Sequence, residues 1–110
     1  MIDRKKVYEK YKSCCAYCGQ LMRFSDMQVD HIVSKRNGGT DEFENLNPSC
    51  RLCNHYKRAD SLEGFRFMMS YLHERIAKIY IVRVALKYGM LTLQPFDGKF
   101  YFEKVKYGKE

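Results

Sequence analysis

Cys15-Ala16-Tyr17-Cys18 and Cys50-Arg51-Leu52-Cys53-Asn54-His55-Tyr56-Lys57 are the stretches whose reading decides how this chain folds. Two Cys-x-x-Cys pairs supply four thiolates at the spacing of a tetrahedral four-cysteine site, the usual home of a structural zinc ion. An all-thiolate shell is closed, so a metal there stabilises the fold and has no open position for chemistry. The expected ligands are Cys15, Cys18, Cys50 and Cys53, and Gly19 suits the turn after the first pair. Ordinary buried cysteines do not account for two identical spacings, and the additional spacing cues of an iron–sulfur cluster are missing. Cys14 is the odd cysteine, expected as a plain thiol that can compete with Cys15.

Working outward, the 110 residues are enough for one domain with a modest core. A composition of 45% hydrophobic and 30% charged residues describes a globular chain rather than a disordered one. No apolar run approaches the roughly 18 to 20 residues of a membrane span, and no membrane partner is expected. The opening residues do not resemble a signal peptide, so the expected setting is the cytoplasm. Paired cysteines in a reducing compartment favour metal over disulfides. The net charge of +7 favours a polyanionic partner, with nucleic acid first among candidates. Solubility alone also explains such an excess.

The local pattern predicts a single α+β domain. Val7, Tyr8 and Tyr11, with Asp3 as N-cap, predict a short helix through about residue 12. Gly19 to Val33 reads as short strands and turns, and Lys35 to Glu44 as a polar surface loop. A helix is expected to start near the second cysteine pair. Beyond a core spanning 12–60, residues 61–110 are expected as a helical and β-hairpin extension. Ser61 is a suitable N-cap for a helix running from Leu62 to Tyr88, with a break near Tyr71 to Glu74 and Gly89 at its end. The apolar stripe Leu62, Phe65, Met69, Leu72, Ile76, Ile79, Leu86 reads as core packing. Asp97-Gly98 predicts the turn of a hairpin over Leu91 to Val105.

Between the cysteine pairs lie Asp30-His31-Ile32-Val33, Gly38-Gly39-Thr40 and Asn45-Leu46. With the second pair and its Asn54-His55-Tyr56-Lys57, they resemble the HNH endonucleases, in the subset whose ββα-metal motif (the His-Me finger) is stapled by a four-cysteine zinc. The resemblance covers about residues 14 to 60, slightly under half the chain. The later part resembles the tail of small phage-type HNH proteins far more loosely.

What the resemblance implies is hydrolysis of a DNA phosphodiester. His31 is then the general base, an imidazole able to take a proton near neutral pH. Asp30, its neighbour on a strand, faces the opposite way and can hold a divalent cation, Mg²⁺ or Mn²⁺, together with the amide oxygen of Asn54. Asn45 matches the central Asn and would bridge the Gly38-Gly39 loop that aims His31. Lys57, on the helical face of Asn54, would meet the scissile phosphate. His55 is an alternative to Asn54 as ligand, although the register, with Asn following Cys directly, favours Asn54. His73 has no such context. Arg51, Arg58, Lys35 and Arg36 could track the DNA backbone or simply form a solvated face. Ser34 stands where many relatives have a proline, a change that loosens a loop without removing a catalytic group.

A single such motif nicks one strand, so double-strand cleavage would need a homodimer or two successive nicks by a monomer. A catalytically silent scaffold, binding DNA or a protein partner, is the alternative. A purely structural zinc ribbon would need the catalytic pattern to be coincidence. The setting implied is a bacterial cell, with phage origin open. Without a dedicated recognition domain, specificity is expected to be weak or supplied by a protein partner.

Overall fold

The computed structural model describes residues 1–105. These divide into two compact units: Met1–Leu62 together with the segment from Phe100, and Glu63–Lys99. The expectation of an α+β architecture holds.

The first unit opens with helix α1 (Arg4–Glu9), where Asp3 accepts from the Lys6 backbone N–H as N-cap. Val7 on α1 is buried with Met27 and Leu46, and Ile2, Tyr8, Met22, Val29 and Phe43 pack around these three. Strands β1 (Gln28–His31) and β2 (Leu46–Ser49) pair antiparallel, with Asp30 opposite Asn47 and His31 opposite Leu46. Helix α2 (Arg51–Lys57) follows directly, N-capped by Cys50. Strand, strand and helix thus form a ββα unit, and the only regular strands among the described residues are these two. The polar loop expected over Lys35 to Glu44 is organised by two short 3₁₀ turns, Lys35–Asn37 and Phe43–Asn45.

The chain re-enters this unit at its far end. Backbone N–H groups of Tyr101 and Phe102 donate to the carbonyls of Tyr17 (3.1 Å) and Ala16 (2.8 Å). A short helix α5 (Tyr101–Lys104) begins there, with Glu103 reaching back to the Phe100 N–H. Phe100 is 2% exposed and its ring meets Tyr17 edge-on. The predicted hairpin over Leu91 to Val105 is therefore replaced: no strand forms there among the described residues. Asp97-Gly98 does turn, with Gly98 at φ +92° and Asp97 accepting from the Lys99 N–H. The donors a second strand would have used instead serve the first cysteine knuckle, where Phe100 also gains burial.

In the second unit the long helix is two, α3 (Leu62–Ile76) and α4 (Tyr80–Lys87). The break comes at Ala77 to Ile79, later than expected, where β-branched Ile76, Ile79, Ile81 and Val82 cluster and lower helix propensity. Gly89 ends α4 at φ +72°. The apolar stripe is less buried than its spacing suggests. Phe65 is buried, whereas Leu62, Met69, Leu72, Ile76 and Leu86 are half-buried and Ile79 is exposed. No helix among the described residues is long and apolar enough to cross a membrane.

Candidate active site

The two knuckles converge. One sulfur from each of Cys15, Cys18, Cys50 and Cys53 lies within 4.8 Å of the others. Cys15 is fully buried because the chain folds over it: its sulfur accepts N–H groups of Tyr17 (3.4 Å) and Cys50 (3.3 Å). The Cys53 N–H likewise points at the Cys50 sulfur (3.4 Å). Backbone donors aimed at sulfur favour thiolates. Cys15 is held down to about 4 chiefly by the Cys53 thiol, and Cys18 is pushed up to about 11 by burial. Four soft donors at this separation suit a tetrahedral zinc ion. Cys14 stands outside the tetrad, its sulfur turned to the Lys12 carbonyl.

Strand alternation sends Asp30 inward and His31 toward solvent. Asp30 is 4% exposed, and its carboxylate accepts the Tyr17 hydroxyl on Oδ2 and the Lys57 ammonium on Oδ1 (3.2 Å). Burial pushes its carboxyl up, opposed by those two donors. Lys57 is itself 1% exposed and also donates to the His31 carbonyl (3.3 Å). Its ammonium is thus turned into the molecule. Asn54 lies one turn earlier on α2, half-buried, on the helical face that carries Lys57 to β1. His55 is exposed on the other side of α2.

The His31 side chain is 22% exposed. Its Nε2 meets Asp41 Oδ1 at 2.8 Å, and the second Asp41 oxygen accepts from Lys35 (3.2 Å). Those two partners, His31 first, hold the Asp41 carboxyl below its usual range. Asn45 staples the intervening loop: its amide oxygen accepts the Val33 N–H (2.9 Å), and its NH₂ donates to the carbonyls of Val33 (3.0 Å) and Thr40 (2.8 Å). Gly39 permits this closure, since a Cβ there would sit 1.7 Å from the Val33 carbonyl oxygen. Ser34 holds the same loop through its carbonyl, which accepts the N–H groups of Asn37 and Gly39. Arg36, Arg51 and Arg58 are exposed, and His73 is half-buried in the second unit.

Three residues that touch this site were not singled out by sequence reasoning: Tyr17, Asp41 and Asn47. Tyr17 lies inside a metal knuckle, and Asp41 is an acid in a glycine-bearing loop beside a histidine. Those placements were the available signals. Asn47 is fully buried opposite Asp30, a partner visible only once the strand register is known.

A segment of the chain, residues 15–60, matches the family model of the HNH endonucleases. It contains both knuckles and the whole ββα unit. Among curated proteins, the CRISPR-associated endonuclease Cas9 of Corynebacterium diphtheriae is 46% identical to this chain over 44 residues, which is 39% of the chain. The chain spans only 4% of that relative's length.

Proposed function

We propose that this chain is a metal-dependent DNA endonuclease that nicks one strand per active site, its tetrad holding a structural zinc. The observation that carries the reading is the His31–Asp41 contact on a ββα unit. With Asp41 accepting the Nε2–H, the tautomer leaves the Nδ1 lone pair available as a general base. His31 at Nδ1 then removes a proton from water as its oxygen attacks phosphorus. The bond from phosphorus to the 3′ oxygen breaks, leaving a 5′ phosphate and a 3′ oxyanion that takes a proton from solvent water to become the 3′ hydroxyl. Loop closure by Asn45 and Gly39 keeps the imidazole aimed.

The donors that would hold the divalent cation are the Asp30 carboxylate and the Asn54 amide oxygen, hard ligands suited to Mg²⁺ or Mn²⁺. The Lys57 ammonium already pairs with Oδ1 of this carboxylate, so a cation there would share it through a remaining lone pair. When bound, the cation supplies charge neutralisation at the phosphate and the leaving oxygen. The net charge of +7 supports DNA as the partner, and exposed Arg51 on α2 and Arg58 at its C-cap suit its backbone.

The test is plasmid nicking in Mg²⁺ or Mn²⁺. His31→Ala should lower the rate by about 10² to 10⁴-fold with zinc content and fold unchanged. Equal rates for variant and wild type would remove His31 as the base.

One observation favours a second reading, a silent HNH-like scaffold that binds DNA or a protein partner. Asp30 and Lys57 neutralise each other internally, as a purely structural pair would. On that reading, binding survives Asp30→Ala and His31→Ala while the wild type cleaves nothing with any divalent metal.

A further inference from the structure

We infer that Tyr17 is the positioning residue for Asp30, so that one phenol hydroxyl links the cysteine cluster to the divalent-cation ligand. The inference rests on the reading of Asp30 as that ligand. Tyr17 is the third residue of the first knuckle, and its backbone is held at both ends. The N–H points at the Cys15 sulfur (3.4 Å), and the carbonyl accepts the Tyr101 N–H (3.1 Å). The residue is 4% exposed, and its ring is clamped edge-on by Phe100 at 5.3 Å and Phe102 at 5.8 Å between centroids. A ring so held cannot carry its hydroxyl elsewhere.

The direction of the hydrogen bond is fixed as well. The Asn47 amide nitrogen approaches the phenol oxygen (3.4 Å) as a donor, leaving the phenol proton for Asp30 Oδ2. The two Asp30 oxygens are therefore held by different elements, Oδ2 from the knuckle and Oδ1 from Lys57 on α2. Each oxygen keeps a further lone pair for another ligand. Remove the phenol hydroxyl, and the carboxylate is held from one side only. It is then free to rotate fully onto Lys57, which withdraws it from a cation. Tyr17 touches neither DNA nor water in this role; it acts through Asp30. Partners behind a metal ligand typically change metal affinity by about 10 to 100-fold.

The experiment is a manganese titration of the zinc-loaded chain, read by electron paramagnetic resonance of free Mn²⁺, with zinc content measured in parallel. Tyr17→Phe should weaken Mn²⁺ binding about tenfold with zinc stoichiometry unchanged. Tyr17→4-aminophenylalanine, which restores a donor, should recover part of the loss. Nicking by Tyr17→Phe should fall at limiting manganese and climb as manganese is raised, a shift in the half-saturating concentration. Unchanged Mn²⁺ affinity in Tyr17→Phe, with affinity lost in Asp30→Asn, overturns the inference and leaves the proposed function standing. Unchanged affinity in Asp30→Asn removes the cation role of Asp30 and overturns both. Should Tyr17→Phe lose its zinc, the aminophenylalanine variant decides: with zinc retained, affinity near wild type supports the link, and affinity as low as in Asp30→Asn overturns it.

Discussion

The two units solve the problem of small size differently. The first has a modest apolar centre in Val7, Met27 and Leu46, and adds a cysteine tetrad, an internal Asp30–Lys57 pair and a re-docked aromatic segment. The second, Glu63–Lys99, has helices but only Phe65 buried among its large apolar side chains. Phe67, Tyr80, Ile81, Tyr88 and Met90 are all at least 64% exposed there. Arg66 donates to the Gly98 carbonyl within this unit (2.6 Å), and helices of this length are marginal in water without packing of an apolar face. The lesson is that apolar content does not locate the densely buried unit. Cross-links and satisfied polar groups do, and they coincide with the candidate chemistry.

The comparison breaks most severely if the tetrad is dispensable. Cys53→Ser, or removal of zinc by a chelator, should unfold the first unit, because structural zinc contributes about 10 to 16 kcal/mol. That rivals the whole stability of a small domain, about 5 to 15 kcal/mol. Circular dichroism and thermal melting with and without chelator check it; an unchanged melt would contradict the clamp. Next in size is Phe100→Ala, which opens a cavity beside Tyr17 and should cost about 3 to 5 kcal/mol by denaturant midpoint. A loss below about 1 kcal/mol would mean that the returning segment is an ornament to the first unit.

A smaller effect separates what holds the first unit from what acts in it. Asp41→Asn should lower nicking about tenfold, through His31 orientation, while leaving the melt unchanged. The sign of its pH dependence follows from the depressed carboxyl. A contribution of this kind is present above the ordinary value of 3.8 and is lost as pH falls through the lower, folded one. Asp41 is therefore charged throughout the range above 3.8, and the acid limb of a nicking profile there belongs to another group. A limb above that value that vanishes in Asp41→Asn would refute this. Smallest of all, Tyr80→Ser and Ile81→Ser, at 77% and 73% exposure, should change stability by under about 0.5 kcal/mol. A larger loss would show that the second unit has a core after all.

Legibility in the sequence followed the range of each interaction. The Asp3 cap, the start of α2 at Cys50 and the stop at Gly89 were readable, since each is set by residues within one helical turn. The hairpin was misread because Asp97-Gly98 specifies a turn but not what lies beyond it. Lys57 was read toward the scissile phosphate, and its burial against Asp30 was not, because helical spacing gives its face but not what that face meets. Tyr17 reaches Asp30 across thirteen positions, and its hydroxyl carries no sequence pattern to mark it.

By itself, then, the sequence determined the candidate donors. Four thiols stand at knuckle spacing, an Asp-His dipeptide lies between them, and Asn45 and Asn54 fall in register. These are identities and intervals, which a chain carries in one dimension. Only the tertiary structure decided who partners whom: Tyr17 and Lys57 on Asp30, Asp41 on His31, and Phe100 against Tyr17. Burial sets those choices. A buried charge or hydroxyl must find a partner wherever packing has brought one, and packing is a property of the whole unit.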